Sequence, residues 1–226
     1  MADLRESFGL VRSRIHDAAQ SSGRKPEEVK LVAVSKSVDV DMVLRAHADC
    51  GQKLFAENRA DELLRKTEAC GDLSFHFVGP LQTNKVRKVV GAAELIHSVD
   101  SERLMRAIDA RAQLQGIRQS VLLQVNVSGE EVKQGLDEAQ LEELLEIANS
   151  ELRHIQINGL MTMAPLAPAA DIRWVFEGLR TLRDRSNRNG PSVSLKELSM
   201  GMTGDFEAAI EEGATLVRVG TALFAS

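Results

Sequence analysis

The sequence contains no tyrosine, which excludes any mechanism that relies on a tyrosine general base. It has only two cysteines, Cys50 and Cys70. They lack the close pairing of a metal site, and both are expected near helix ends, reduced in a cytosol. No apolar run approaches the ~20 residues that a membrane-spanning helix needs. The opening Met1-Ala2-Asp3-Leu4-Arg5-Glu6 is charged early and lacks the apolar centre of a signal peptide. There is no basic excess: the formal net charge is −5, which argues against a general nucleic-acid binder. The five histidines, His16, His47, His76, His97 and His154, show no metal-ligand spacing such as H-E-x-x-H. A cytoplasmic chain with no metal, no membrane and no nucleic acid among its partners is expected.

What is present is an alternation. Leu4, Phe8, Val11, Ile15 and Ala18-Ala19 fall at helical spacing, so residues 2–21 are expected to form a leading amphipathic helix, ended by Gly23 and Pro26. Strand-like stretches then lie near 30–35, 53–56, 74–78, 94–98, 120–127, 155–160, 195–199 and 215–219. Helical stretches fill the gaps: around 42–46, at 58–69, 82–90 and 101–115, around 141–148, and at 171–188 and 204–212. Several close on a glycine that can take the left-handed cap conformation, among them Gly51 and Gly116. Eight strands alternating with helices predict an α/β fold, a single (β/α)8 TIM-type barrel with an extra N-terminal helix. A doubly wound open sheet is the alternative. Longer loops after strands than before them, as at 128–136 and 164–170, favour the barrel. No domain linker is evident: the polar loop at 186–191 comes too late, so residues 1–226 are read as one domain.

Polar residues collect at the predicted strand C-termini. Lys36 follows the apolar run Lys30-Leu31-Val32-Ala33-Val34, and strand alternation puts it on one face with Val32 and Val34. If that face lines a barrel, Lys36 stands at the rim above an apolar floor, surroundings that lower an amine's pKa as a Schiff-base lysine requires. The alternative is a lysine that caps the strand and reaches water. Asn58, Ser98, Asn126, Met161-Thr162, Ser199 and Arg218 sit at corresponding places. On a barrel they converge on one mouth. Singly, such Asn and Ser residues are ordinary turn formers.

Two glycine-bearing stretches follow strands seven and eight: Ser199-Met200-Gly201-Met202-Thr203-Gly204-Asp205, and Gly220-Thr221 entering a short terminal helix. Barrels often bind phosphate at those two places. Thr203 or Asp205 as a plain N-cap is the other reading. A phosphate there, with a lysine after strand one, suggests a phosphorylated carbonyl ligand, and pyridoxal 5′-phosphate fits. Arg218 alternates with Val217 and Val219 and so is expected to point inward. An arginine cannot accept a proton, so a pyridine nitrogen facing it stays neutral and carbanion stabilisation is weakened. An arginine paired with a buried carboxylate or phosphate is the other possibility.

The segments Val32–Lys36, Phe55–Asn58, His76–Lys85, Gln124–Val127, Gly159–Met163, Leu198–Ala214 and Val217–Phe224 together resemble the pyridoxal phosphate homeostasis protein family, across nearly the whole chain. That family looks like the barrel domain of alanine racemase without its second, β-rich domain. The resemblance implies a carrier with no established turnover that stores or delivers the cofactor. It implies a Schiff base on Lys36. Ser199, Thr203, the Met200–Gly201 backbone, Gly220 and Thr221 would hold the phosphate. Arg218 would meet the ring nitrogen, with Asn58 and Met161 lining the pocket. The sequence departs from the family pattern where Ala56 and Arg59 replace a glycine and a tyrosine, at Pro80, and at Thr203, which replaces a serine and keeps the hydroxyl. The implied partners are pyridoxal phosphate and, as recipients, pyridoxal-dependent apoenzymes, with the chain a monomer.

Two enzymatic readings compete: an amino-acid racemase-like catalyst, and a Schiff-base aldolase without cofactor. Racemisation needs a base on each face of its substrate, and the opposing tyrosine of alanine racemase has no counterpart here. The basic run Lys85, Arg87, Lys88 and the group Arg180, Arg183, Arg185, Arg188 are read as solvated helix faces. His76 and His97 are read as core histidines, and Trp174, with Phe176 and Leu179, as core.

Overall fold

The structure is a computed structural model that describes residues 3–130, 134–165, 168–189 and 194–225. Eight parallel strands close into a barrel in chain order: β1 (Lys30–Val34), β2 (Leu54–Glu57), β3 (Ser74–Phe77), β4 (Leu95–Val99), β5 (Gln119–Gln124), β6 (Ile155–Met161), β7 (Glu197–Ser199) and β8 (Leu216–Val219). The connecting helices are α2 (Val40–Cys50), α3 (Ala60–Cys70), α4 (Val86–Val89), α5 (Glu102–Gln115), α6 (Glu138–Ser150), α7 (Ala169–Asn189) and α8 (Phe206–Glu211), preceded by α1 (Leu4–Ser21) and followed by α9 (Thr221–Phe224). The open-sheet alternative is ruled out by the pairing of β8 with β1, which sets Val32 beside Arg218.

Alternation along the strands makes two cores. Outward residues such as Ala33, Phe55, Phe75, Ile96 and Val217 meet the helices. Inward residues Val32, Ala56, Leu95, Leu122, Met161 and Leu216 fill the barrel. Helix ends follow local chemistry. Asp39 caps α2 by accepting the Met42 N–H at 2.9 Å, and Gly51 ends it at φ 64°, a conformation glycine adopts without a Cβ clash.

The four-residue α9 is too short to cover the seam between β8 and β1. The N-terminal helix does so instead. Its stripe Leu4, Phe8, Val11, Ile15, Ala18 and Ala19 is buried, and it packs against α2, α8 and α9. Phe8 meets Phe224 edge-on at 5.7 Å, and Arg14 lies over the Phe206 ring while pairing with Glu207.

Four expectations change. Trp174 is 52% exposed; the buried stripe of α7 runs through Ile172, Val175, Phe176 and Leu179, and position 174 falls outside it. Ser98 lies within β4 rather than after it, and is buried. The fifth strand stops at Gln124, so Asn126 lies beyond it, and its amide donates to the Glu130 carbonyl of its own loop at 2.9 Å. Residues 186–189 belong to α7, and only the end of that polar stretch falls outside the described residues. Parts of the long loops at 128–136 and 164–170 fall outside them too.

Candidate functional site

The C-terminal strand ends bring most of the expected residues to one mouth. Lys36 sits in the turn two residues beyond Val34. The apolar floor is present beneath it, but the lysine itself is exposed to solvent. Its neighbour Ser35 is fully buried. Asn58, just past β2, is half-buried, and its backbone presses on Gly79: a Cβ there would lie 2.2 Å from the Asn58 carbonyl oxygen. Met161 is buried in the barrel and pairs in register with Ser199.

Arg218 is the dominant charge of the interior. It points inward beside Val32, buried, and donates from Nη1 to the Ser199 hydroxyl at 2.6 Å and from Nη2 to the Thr162 carbonyl at 3.0 Å. No carboxylate forms an ion pair with it among the described residues. Burial pulls its pKa down to about 10, opposed by the more distant charge of Asp205. A buried cation held only by neutral groups is costly, and such an arrangement points to a ligand rather than to a structural ion pair.

Behind Arg218 runs a chain that sequence reasoning left as separate core residues. His97 Nδ1 lies 2.8 Å from the Ser199 hydroxyl, and His97 Nε2 lies 2.9 Å from His76 Nδ1. Burial lowers the His76 pKa to about 4 and holds that of His97 well below its ordinary value, with His76 and Arg218 adding to the latter. Neutral rings with one N–H each let this chain carry its hydrogens in either direction. The signal was alternation: His76 and His97 share the inward parity of Arg218 on their strands.

The phosphate-type loop after β7 is shaped by Gly201. Its φ is +91°, and a Cβ there would lie 2.7 Å from Ala209 Cβ and 2.9 Å from Phe206 Cα. Its carbonyl accepts the Arg218 N–H at 3.0 Å. The Met200 N–H is used by Leu216 at 3.2 Å and its side chain lies in the outer core. Among the described residues, no acceptor takes the N–H of Gly201, Thr203 or Gly204. Thr203 is half-buried. Asp205 does not cap its own helix; its carboxylate accepts the Met202 N–H at 2.5 Å, and burial raises its pKa. Gly220 packs on β1, where a Cβ would stand 3.1 Å from the Val34 carbonyl, and Thr221 opens α9 with N–H groups that have no intrahelical partner. Amine, glycine cradle with unclaimed N–H groups, and unpaired arginine form a donor set suited to pyridoxal phosphate.

A group the sequence did not suggest lies beside Lys36. Glu57 and Lys66 are both fully buried and paired at 2.6 Å. Lys66 stands on the buried stripe of α3 with Leu63 and Cys70, and that misplaced charge was the available signal. The basic runs are solvated: Lys85 and Lys88 pair with Asp61, Arg180 with Glu212, and Arg185 with Glu138. No helix is long and apolar enough to cross a membrane, and no cluster of metal-binding side chains occurs, among the described residues. A cleft of about 440 Å³ lined by Arg118, Arg153 and Ile157 lies at the opposite, N-terminal end of β5 and β6.

Comparison with known proteins agrees with this architecture. Residues 11–226 match the model of the alanine racemase N-terminal domain family. The chain is 46% identical over 222 residues to the pyridoxal phosphate homeostasis protein of Aquifex aeolicus, covering 97% of this chain and 96% of that one. It is 35% identical over 230 residues to the protein of the same name from Escherichia coli K12, covering 99% and 97%. Among solved structures, PipY of Synechococcus elongatus with PLP bound superposes with a TM-score of 0.83 at 38% identity, covering 93% of this chain and all of that one. Alanine racemase of Corynebacterium glutamicum shares the barrel alone, with a TM-score of 0.72 at 16% identity over 97% of this chain and 61% of its own. The chain belongs to the pyridoxal phosphate homeostasis protein family, built on the alanine racemase N-terminal barrel.

Proposed function

We propose that the chain binds pyridoxal 5′-phosphate at the barrel mouth, holds it as a Schiff base on Lys36, and stores and delivers it within the cell rather than turning over a substrate. The observation that carries this reading is the buried Arg218, inward-facing and, among the described residues, without an ion-paired carboxylate. Bound there, pyridoxal phosphate supplies an aldehyde for a lysine amine, an electron-accepting ring and an anionic tail. Lys36 provides the amine from the turn after β1. Gly201, Thr203, Gly220 and Thr221 offer N–H and hydroxyl donors to the tail. Arg218 faces the ring nitrogen and, able only to donate, keeps it unprotonated. The Ser199 hydroxyl, fully buried and engaged with Arg218 and His97, holds the guanidinium plane in place. Asn58 and Met161 form the walls.

The same features support a carrier over a racemase. The chain has no tyrosine to act as the opposing base. Relatives named for pyridoxal phosphate homeostasis and a PLP-bound PipY support the cofactor assignment. The test is a spectrum of the protein mixed with pyridoxal phosphate beside a Lys36→Ala variant. The wild type shows the lysine-bound band at ~420 nm and the variant loses it with the fold retained. A variant that keeps the band removes Lys36 from the account. Incubation with L-alanine in deuterated water addresses turnover: deuterium appearing at Cα at enzyme-like rates would establish the racemase reading instead.

A further inference from the structure

The Glu57–Lys66 pair has no role in the site as described, yet it is built around the residue next to Lys36. Lys66 Nζ donates to Glu57 Oε1 at 2.6 Å and to the Ser35 carbonyl at 2.7 Å. The Ser35 hydroxyl donates to the same Glu57 oxygen at 2.6 Å. The Ser35 N–H donates to the Ala56 carbonyl at 2.9 Å, and the Ser35 carbonyl also accepts the Val38 N–H at 3.1 Å. Ser35 is thus held from β2, from α3 and from its own turn, and its peptide link to Lys36 is held through the carbonyl by Lys66 and Val38. All three side chains are fully buried, and Glu57 Oε2 has no hydrogen-bond partner among the described residues.

As a source of stability this is a poor device. Two charges taken out of water recover little, and a well-packed apolar pair of similar volume is commonly as stable or more so. What the ion pair supplies that leucine and methionine do not is direction: a fixed donor on the Ser35 carbonyl and a fixed acceptor for its hydroxyl. We propose that Glu57 and Lys66 are positioning residues that set the backbone from which Lys36 reaches the mouth, so that the cofactor is captured by this lysine and no other. The proposal rests on the reading of Lys36 given above.

The test uses the full-length protein and pyridoxal phosphate. Wild type, a volume-matched Glu57→Leu/Lys66→Met double variant and a Ser35→Ala variant are compared in three measurements. These are thermal unfolding, the dissociation constant for pyridoxal phosphate from absorbance titration, and the share of borohydride-fixed label on Lys36 from peptide mapping. The double variant is expected to unfold at or above the wild-type temperature. Its dissociation constant rises on the order of tenfold, within what a sub-ångström to ångström misplacement produces, and label spreads from Lys36 to other lysines. Ser35→Ala, which removes one arm only, moves both binding readouts the same way by a smaller factor. A folded double variant with wild-type affinity and labelling overturns the proposal. Should the double variant not fold, wild-type values in Ser35→Ala overturn it. If the wild type itself carries no label on Lys36, the reading of the site fails first, an outcome visible before any variant is made.

Discussion

Gly201→Ala tests the shaping of the phosphate-type loop in one substitution. The residue sits at φ +91°, and its new methyl would lie 2.7 Å from Ala209 Cβ and 2.9 Å from Phe206 Cα. Placing an L-residue at such a φ costs about 1–2 kcal/mol. Forcing a methyl against a helix that cannot give way costs about 1–3 kcal/mol more. The sum is about 2–5 kcal/mol, which for a chain of this size lowers the melting temperature by about 4–20 °C. The control is Gly204→Ala, three residues on, where nothing lies within 4 Å and φ is not positive; it changes stability by less than ~0.5 kcal/mol. Urea unfolding of both variants reads the difference directly. Because the Gly201 carbonyl also holds the Arg218 N–H, the Gly201 variant loses pyridoxal phosphate affinity as well. A Gly201→Ala protein as stable as Gly204→Ala would refute the steric argument.

Other outcomes follow from the same structure. His76 and His97 are buried with lowered pKa values, His76 at about 4. The unfolded chain therefore binds protons that the folded one refuses, and stability falls as pH drops from about 6.5 toward 4, by at most ~1.4 kcal/mol per pH unit for each ring. Urea midpoints measured between pH 7 and 5 check this, above the range where most carboxylates titrate; a flat profile contradicts it. Asp39→Ala removes the cap of α2 and costs about 1 kcal/mol, seen as a lower urea midpoint at unchanged slope. Phe55→Ala empties a fully buried ring position stacked on Phe75 at 5.8 Å and costs about 3–5 kcal/mol; a loss under 1 kcal/mol would show that the outer core collapses around the gap.

The barrel was legible because two periodicities survive in the sequence without interruption. Apolar runs such as Leu31–Val34 alternate with helical stripes such as Leu141, Leu144 and Leu145, and parallel strands buried on both faces read as continuous apolar segments. The mouth was legible because barrel loops after strands seven and eight carry a general physical role, and Arg218 among valines is conspicuous. What stayed hidden depends on contacts between distant segments. The Glu57–Lys66 pair joins the end of one strand to the middle of the next helix, and a charge at either place is ordinarily solvated. The His76–His97–Ser199–Arg218 chain crosses four strands, and local pattern says nothing of which inward residues meet. Trp174 was misjudged because an aromatic beside Phe176 looks like core until the helix phase is known.

The central claim is that Lys36 carries the cofactor, and the most direct measurement is reduction of the pyridoxal phosphate-loaded protein with borohydride, followed by mass spectrometry of its peptides. The account predicts one pyridoxyl phosphate per chain, on the peptide containing Lys36, and none in a Lys36→Ala protein. Stoichiometric label on any other lysine, or loaded protein that takes up no label at all, would contradict it.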